Sequence, residues 1–138
     1  MTEELVGAPA AVGSEIPSNP AEARDKVDSL LRTRFFTGDG ESRDDVVWAD
    51  ALLVTSELVT NAYRHGGGLT NFSAWIEGDE LVMSVADRST APPVLRLRAP
   101  GDFTAGGFGW PMVNRLAKRL SVVSTDTGKR IDVAVPLT

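Results

Sequence analysis

Ser56-Glu57-Leu58-Val59-Thr60-Asn61-Ala62-Tyr63-Arg64-His65-Gly66 is the stretch on which the reading of this chain turns. Residues four apart lie on one side of an α-helix, so Glu57, Asn61 and His65 fall in line. Upstream, Val47, Ala51, Val54, Leu58 and Ala62 form an apolar stripe, and Asp50, Leu53, Glu57, Asn61 and Arg64 run beside it. Ser42 with Asp45 three residues on predicts the helix start, and Gly66-Gly67-Gly68 its end. A carboxylate and an amide beside a core stripe are partly withdrawn from water, and buried polar groups need partners. Such an oxygen pair suits Mg²⁺, or the orientation of a water or hydroxyl. The structural alternative is a solvated glutamate and a helix-ending asparagine.

On either side of this helix the pattern continues. Residues 1–19 are rich in Ala, Gly, Pro and Ser and read as a flexible lead-in, with a short edge strand near Val12–Ile16. Asn19-Pro20-Ala21-Glu22 has a cap, a first-turn proline and a glutamate placed to reach back. Ala23, Val27, Leu30, Leu31 and Phe35 then give one helical face, which Gly38-Asp39-Gly40 ends. Downstream, Phe72, Ala74 and Ile76 alternate with Ser73, Trp75 and Glu77, and Gly78-Asp79 reads as a turn before Leu81, Met83 and Val85. Asn71–Ala86 is therefore expected to be an antiparallel hairpin. Residues 87–109 lose all regularity. A helix from Trp110 to Lys118 follows, then a hairpin of Leu120–Ser124 and Ile131–Leu137 around Asp126-Thr127-Gly128-Lys129. The order helix, helix, hairpin, loop, helix, hairpin predicts an α+β domain over residues 20–138. It would be a two-layer sandwich whose mixed, mostly antiparallel sheet carries its helices on one face.

Two further places carry chemistry. Asp87 follows the strand Leu81–Ala86, where a carboxylate at the mouth of a sheet can accept a ligand N–H; a turn-forming aspartate is the alternative. Gly106-Gly107-Phe108-Gly109 opens into the helix beginning at Trp110, a combination that suits an anion, although a plain hinge would read the same way. It is neither a dinucleotide fingerprint, since Met112 stands where the third glycine belongs, nor a P-loop. Lys129 could add an anion contact, or lie in an ordinary hairpin turn. The single histidine, His65, cannot form a zinc pair and has no triad around it.

Composition narrows the classes. Of 138 residues, 42% are hydrophobic and 24% charged, enough for one core. Fourteen Lys and Arg against 19 Asp and Glu give a net charge of −5, which disfavours direct binding to nucleic acid or anionic lipid. With no cysteine, disulfides, thiolate zinc sites and thiol catalysis are excluded. The acidic Met1-Thr2-Glu3-Glu4 start is not a secretory signal, and no apolar run approaches the roughly 18–20 residues of a membrane span. A cytoplasmic location is expected.

Taken in order, the Glu57/Asn61 helix, the strand ending in Asp87, the irregular loop and the Gly107/Gly109 helix start resemble the GHKL, or histidine kinase-like, ATPase superfamily. Within it, the phrase from Ser56 to Gly66 is most similar to the small bacterial anti-sigma factor serine/threonine kinases. The resemblance covers roughly residues 20–138 and implies a Bergerat-type ATP-binding fold with ATP and Mg²⁺ as cofactors. Asn61 would be the metal ligand, Glu57 the catalytic base, and Asp87 the partner of the adenine amino group. Val94–Gly109 would form the ATP lid, with Gly107 and Gly109 at the phosphates and Lys129 peripheral. It further implies a sigma factor and an anti-anti-sigma factor as partners, with a second copy of the chain as another candidate.

Three departures stand out. Arg88-Ser89-Thr90-Ala91 has no glycine where the family's first box usually has two, Trp110 replaces a usual leucine, and Phe108 sits between the glycines. They leave open a catalytically degenerate member, acting as a protein-binding module without nucleotide. A free-standing ATP hydrolase is the third reading, and a chain this short leaves it no transducer domain.

Overall fold

Asn19 sets the entry of the chain into its first helix. The computed structural model describes residues 16–35, 45–90 and 109–138. In it, Asn19 Oδ1 accepts the Glu22 N–H at 2.8 Å, and the Asn19 carbonyl accepts the Ala23 N–H at 3.2 Å. Pro20 then opens α1 (Pro20–Phe35) at the position where a missing N–H leaves no gap. Glu22 does reach back, to the Ser18 N–H at 2.8 Å, one residue before the cap.

The long helix α2 (Asp45–His65) is buried over more than the expected stripe. Ala51, Val54, Leu58 and Ala62 are in the core as expected, whereas Val47 is only half-buried. Trp48, Thr55 and Val59 are buried as well, because the helix is packed by α1, by the sheet and by a third helix at once. Trp48 Nε1 donates to Asp28 Oδ1 of α1 at 2.8 Å. Thr55 Oγ1 donates to the Ala51 carbonyl at 2.7 Å, so its hydroxyl is satisfied within the core. The Tyr63 hydroxyl donates to the Pro17 carbonyl at 2.6 Å, pinning the lead-in to the far end of α2.

Beyond α2 come strands β1 (Leu69–Glu77) and β2 (Glu80–Asp87), then α3 (Gly109–Leu116), β3 (Arg119–Ser124) and β4 (Lys129–Pro136). The β1–β2 loop is Gly78-Asp79, with Gly78 at φ +62°, the positive value that a tight hairpin reserves for glycine. The sheet order is β1-β2-β4-β3, and every pairing among the described residues is antiparallel. Cross-strand rows Phe72/Val85/Ile131, Ala74/Met83/Val133 and Ile76/Leu81/Val135 face the helices. The opposite face carries Trp75/Val82/Ala134 and Ser73/Ser84/Asp132, with Ser84 Oγ bonded to Asp132 Oδ1 at 2.8 Å. Among the described residues, three helices over one face of a four-stranded sheet make the two-layer α+β architecture that the sequence predicts.

The elements differ at their ends. Helix α3 stops at Leu116 instead of Lys118, because the Lys118 N–H already bonds the Ala134 carbonyl of β4 at 2.7 Å. Strand β4 begins at Lys129, two residues before the apolar alternation, since Lys129 and Arg130 pair with Asp87 and Ala86. The Val12–Ile16 strand (all but Ile16), the Gly38-Asp39-Gly40 stop, the Ser42 cap and the lid residues 94–108, Gly107 among them, lie outside the described residues. Among the described residues, no helix is long and apolar enough to cross a membrane.

Candidate functional site

Asp87 is the last residue of β2 and is only 4% exposed. Its inward parity is that of Leu81, Met83 and Val85, so its carboxylate enters the helix side of the sheet. Directly opposite on β4 stands Lys129, itself 7% exposed. The Lys129 Nζ lies 3.0 Å from Asp87 Oδ2 and 3.1 Å from Oδ1, and the Ser89 N–H donates to Oδ1 at 2.9 Å. Lys129 is therefore not a residue of the hairpin turn: it is a strand residue engaged with the carboxylate across the ladder.

The end of α2 closes over this pair. The Ala62 carbonyl accepts both the Gly66 N–H at 3.1 Å and the Gly68 N–H at 3.0 Å, turning the chain back on itself. A Cβ on Gly66 would stand 2.5 Å from both Cγ and Oδ2 of Asp87, so only glycine allows this approach. The Gly66 carbonyl in turn accepts the Arg88 N–H at 2.9 Å, fastening β2 to the helix end. One helical turn of chain thus connects Asn61, through Ala62 and Gly66, to the Asp87 carboxylate.

Glu57 and Asn61 sit a turn apart on α2, both half-buried. Burial pushes the Glu57 carboxyl above its ordinary value, and the nearby positive charge of Arg64 offsets part of that rise. His65 ends α2 and is exposed. Gly109 begins α3, which packs on α2 through a core that includes Trp110, 5% exposed, and Val113. The large side chain of Trp110 thus fixes the helix start by burying itself in the core.

Glu57 and Asn61 are brought together, Asp87 joins Lys129, and α3 lies against the same helix; Gly107 is outside the described residues. A depression of about 380 Å³ bordered by Val82, Arg119, Asp132 and Ala134 lies on the other face of the sheet and contains none of these groups. What the sequence reading missed is the ion pair itself. Its signal was parity: Asp87 continues Leu81-Met83-Val85, and Lys129 precedes Ile131-Val133-Val135, so both point inward at the same end of neighbouring strands.

Residues 17–135 match the model of the histidine kinase-like ATPase domain family. The chain belongs to the histidine kinase-like ATPase family. Among solved structures, the chain is similar to the histidine kinase domain of a blue-light activated histidine kinase from Erythrobacter litoralis, at 18% identity and a TM-score of 0.50. That match covers 91% of this chain and 66% of the other, and it shows a shared fold. No curated protein matches the chain in sequence.

Histidine kinase-like ATPase domains bind a nucleotide, usually with Mg²⁺, and the residues present fit the metal end of that requirement. Among the described residues no cluster of three or more His, Cys, Asp or Glu could hold a metal on its own. Mg²⁺ is commonly held by one or two protein oxygens, completed by phosphates and water, and Asn61 and Glu57 offer such oxygens. Asp87 lies beyond the end of the same helix, and its oxygens already have partners in Lys129 and Ser89.

Proposed function

We propose that this histidine kinase-like chain is an anti-sigma factor that binds Mg²⁺-ATP, sequesters a sigma factor and phosphorylates a Ser or Thr of an anti-anti-sigma partner. The observation that carries the kinase half is the half-buried Glu57, its carboxyl raised by burial, a turn from Asn61 on the helix whose end packs against Asp87. A general base works best when its pKa is lifted toward the working pH. In this reading Asn61 holds Mg²⁺, Glu57 accepts the proton of the acceptor hydroxyl, Asp87 lies at the nucleobase, and Gly107 and Gly109 lie with the α3 start at the phosphates. The metal, when bound, neutralises charge on the phosphates. The anti-sigma half is supported by the Ser56–Gly66 phrase and by the net charge of −5, which complements a basic DNA-binding partner. The location that goes with it is the cytoplasm.

One observation favours a second reading, a nucleotide-independent protein-binding module: Asp87 is already engaged by Lys129. Calorimetric titration with ATP and ADP, with and without Mg²⁺, separates the two. Saturable Mg²⁺-dependent binding, followed by transfer of labelled γ-phosphate to a co-purified anti-anti-sigma protein, supports the kinase. Tight sigma-factor binding that ATP neither requires nor alters supports the module.

A further inference from the structure

The chemistry at Asp87 is changed by what stands in front of it. Its Oδ1 accepts from Lys129 Nζ, 3.1 Å away, and from the Ser89 N–H, 2.9 Å away, while its Oδ2 lies in ion-pair contact with the same ammonium at 3.0 Å. Gly66 covers it from the helix side. An ammonium within 3.1 Å of both oxygens stands where a ligand amino group would approach the carboxylate. Both partners are buried, so water does not loosen the pair. Lys129 has three N–H donors, and the bond to Asp87 Oδ1 does not use them all. A ligand group reaching this end would meet a hydrogen-bond donor in place of a bare carboxylate.

We propose that Lys129 is a specificity-determining residue that shields Asp87 from a 6-amino purine, so that the protein does not select adenine over a 6-oxo purine. The inference rests on the reading of Asp87 as the nucleobase end of the site. An exocyclic amino group facing the ammonium sets donor against donor, whereas a 6-oxo group accepts the free Lys129 N–H. Adenine is recognised here only once the ammonium is gone.

ATP and inosine triphosphate differ in the group at purine position 6 and in the N1 proton that accompanies it, which makes them a suitable pair of probes. Their Kd values are measured by calorimetry with Mg²⁺ on the wild-type protein, on Lys129→Met, which keeps an apolar stem of similar length, and on Lys129→Arg, which keeps the charge. The expected result is a wild-type preference for ATP over inosine triphosphate of less than about threefold. Lys129→Met is expected to bind ATP at least tenfold tighter and to prefer it at least tenfold, while Lys129→Arg stays like the wild type. A wild-type preference for ATP of tenfold or more overturns the inference, and this measurement stands even if Lys129→Met does not fold. A folded Lys129→Met, shown by an unchanged circular dichroism spectrum, that binds ATP no tighter also overturns it. If neither the wild type nor that folded variant binds any triphosphate, the nucleotide reading of the site fails and this inference falls with it.

Discussion

A methyl group on Gly66 would stand 2.5 Å from the carboxyl carbon of Asp87 and 2.8 Å from the Ala62 carbonyl oxygen. Neither neighbour can yield easily, since Ala62 is helix backbone and Asp87 is held by Lys129 and Ser89. Gly66→Ala is therefore expected to destabilise the fold by about 1–3 kcal/mol, the usual cost of forced overpacking. Urea denaturation monitored by circular dichroism measures it. An unchanged midpoint would show that the helix end can move away from Asp87.

Glu57 and Asn61 of α2 are expected to fail in different ways. Asn61→Ala should abolish Mg²⁺-dependent nucleotide binding with the fold intact. Glu57→Ala should leave binding largely unchanged and remove phosphate transfer. Titration and transfer assays on both variants separate these roles. Wild-type Mg²⁺-ATP affinity in Asn61→Ala would sink the metal assignment, and transfer at the wild-type rate in Glu57→Ala would exclude it as the base.

Glu57 also imposes a pH dependence on stability. Burial raises its folded pKa above the ordinary 4.5, so the folded state binds the proton more tightly than the unfolded one. Its contribution is most favourable below the unfolded pKa and is lost as pH rises through the folded pKa. Glu57→Gln has no such loss. Its stability relative to wild type should be level near pH 3 and should improve between about pH 4.5 and neutrality, on the linkage relation. Parallel denaturation curves at these pH values test this, and a difference that does not change with pH would contradict it.

Trp48 tests the seam between the first two helices. Trp48→Phe keeps an aromatic ring but removes the Nε1–H bond to Asp28. Asp28 retains its contact to Arg32 at 2.8 Å, so the cost should be about 1–2 kcal/mol, in the range for one hydrogen bond to a charged acceptor. Chemical denaturation with tryptophan fluorescence excluded as the probe would measure it, because the substitution removes a fluorophore. A neutral result would mean that the ring alone holds the seam.

Most of the architecture could be read from periodicity. The 3.6-residue stripe of Ala51, Val54, Leu58 and Ala62 and the two-residue alternation of Leu81, Met83 and Val85 each bury the face they predict. The polar step Glu57–Asn61 was legible for the same reason, since both residues belong to one helix. Less legible were facts created by long-range pairing. Lys129 shares the inward parity of Ile131, but the partner that buries it stands on a strand 42 positions away in sequence, and no local pattern around Gly128 names that partner. Trp48, Thr55 and Val59 lie off the main stripe, and their burial follows from three neighbours crowding α2, which a single-helix periodicity does not encode.

Helix α2 serves as an axle whose bearing is the core. Val54, Leu58 and Ala62 seat it, while Glu57 and Asn61 ride on an adjacent line. With side chains reaching about 5–6 Å from a helix axis, a roll of about 10° swings their tips by about 1 Å. Enlarging or trimming a seating residue thus retunes the aim of Asn61 and Glu57 relative to Asp87, which is anchored to the sheet and does not turn with them. Substitutions far from any ligand atom would on this account weaken Mg²⁺-ATP binding by more than their cost to stability explains.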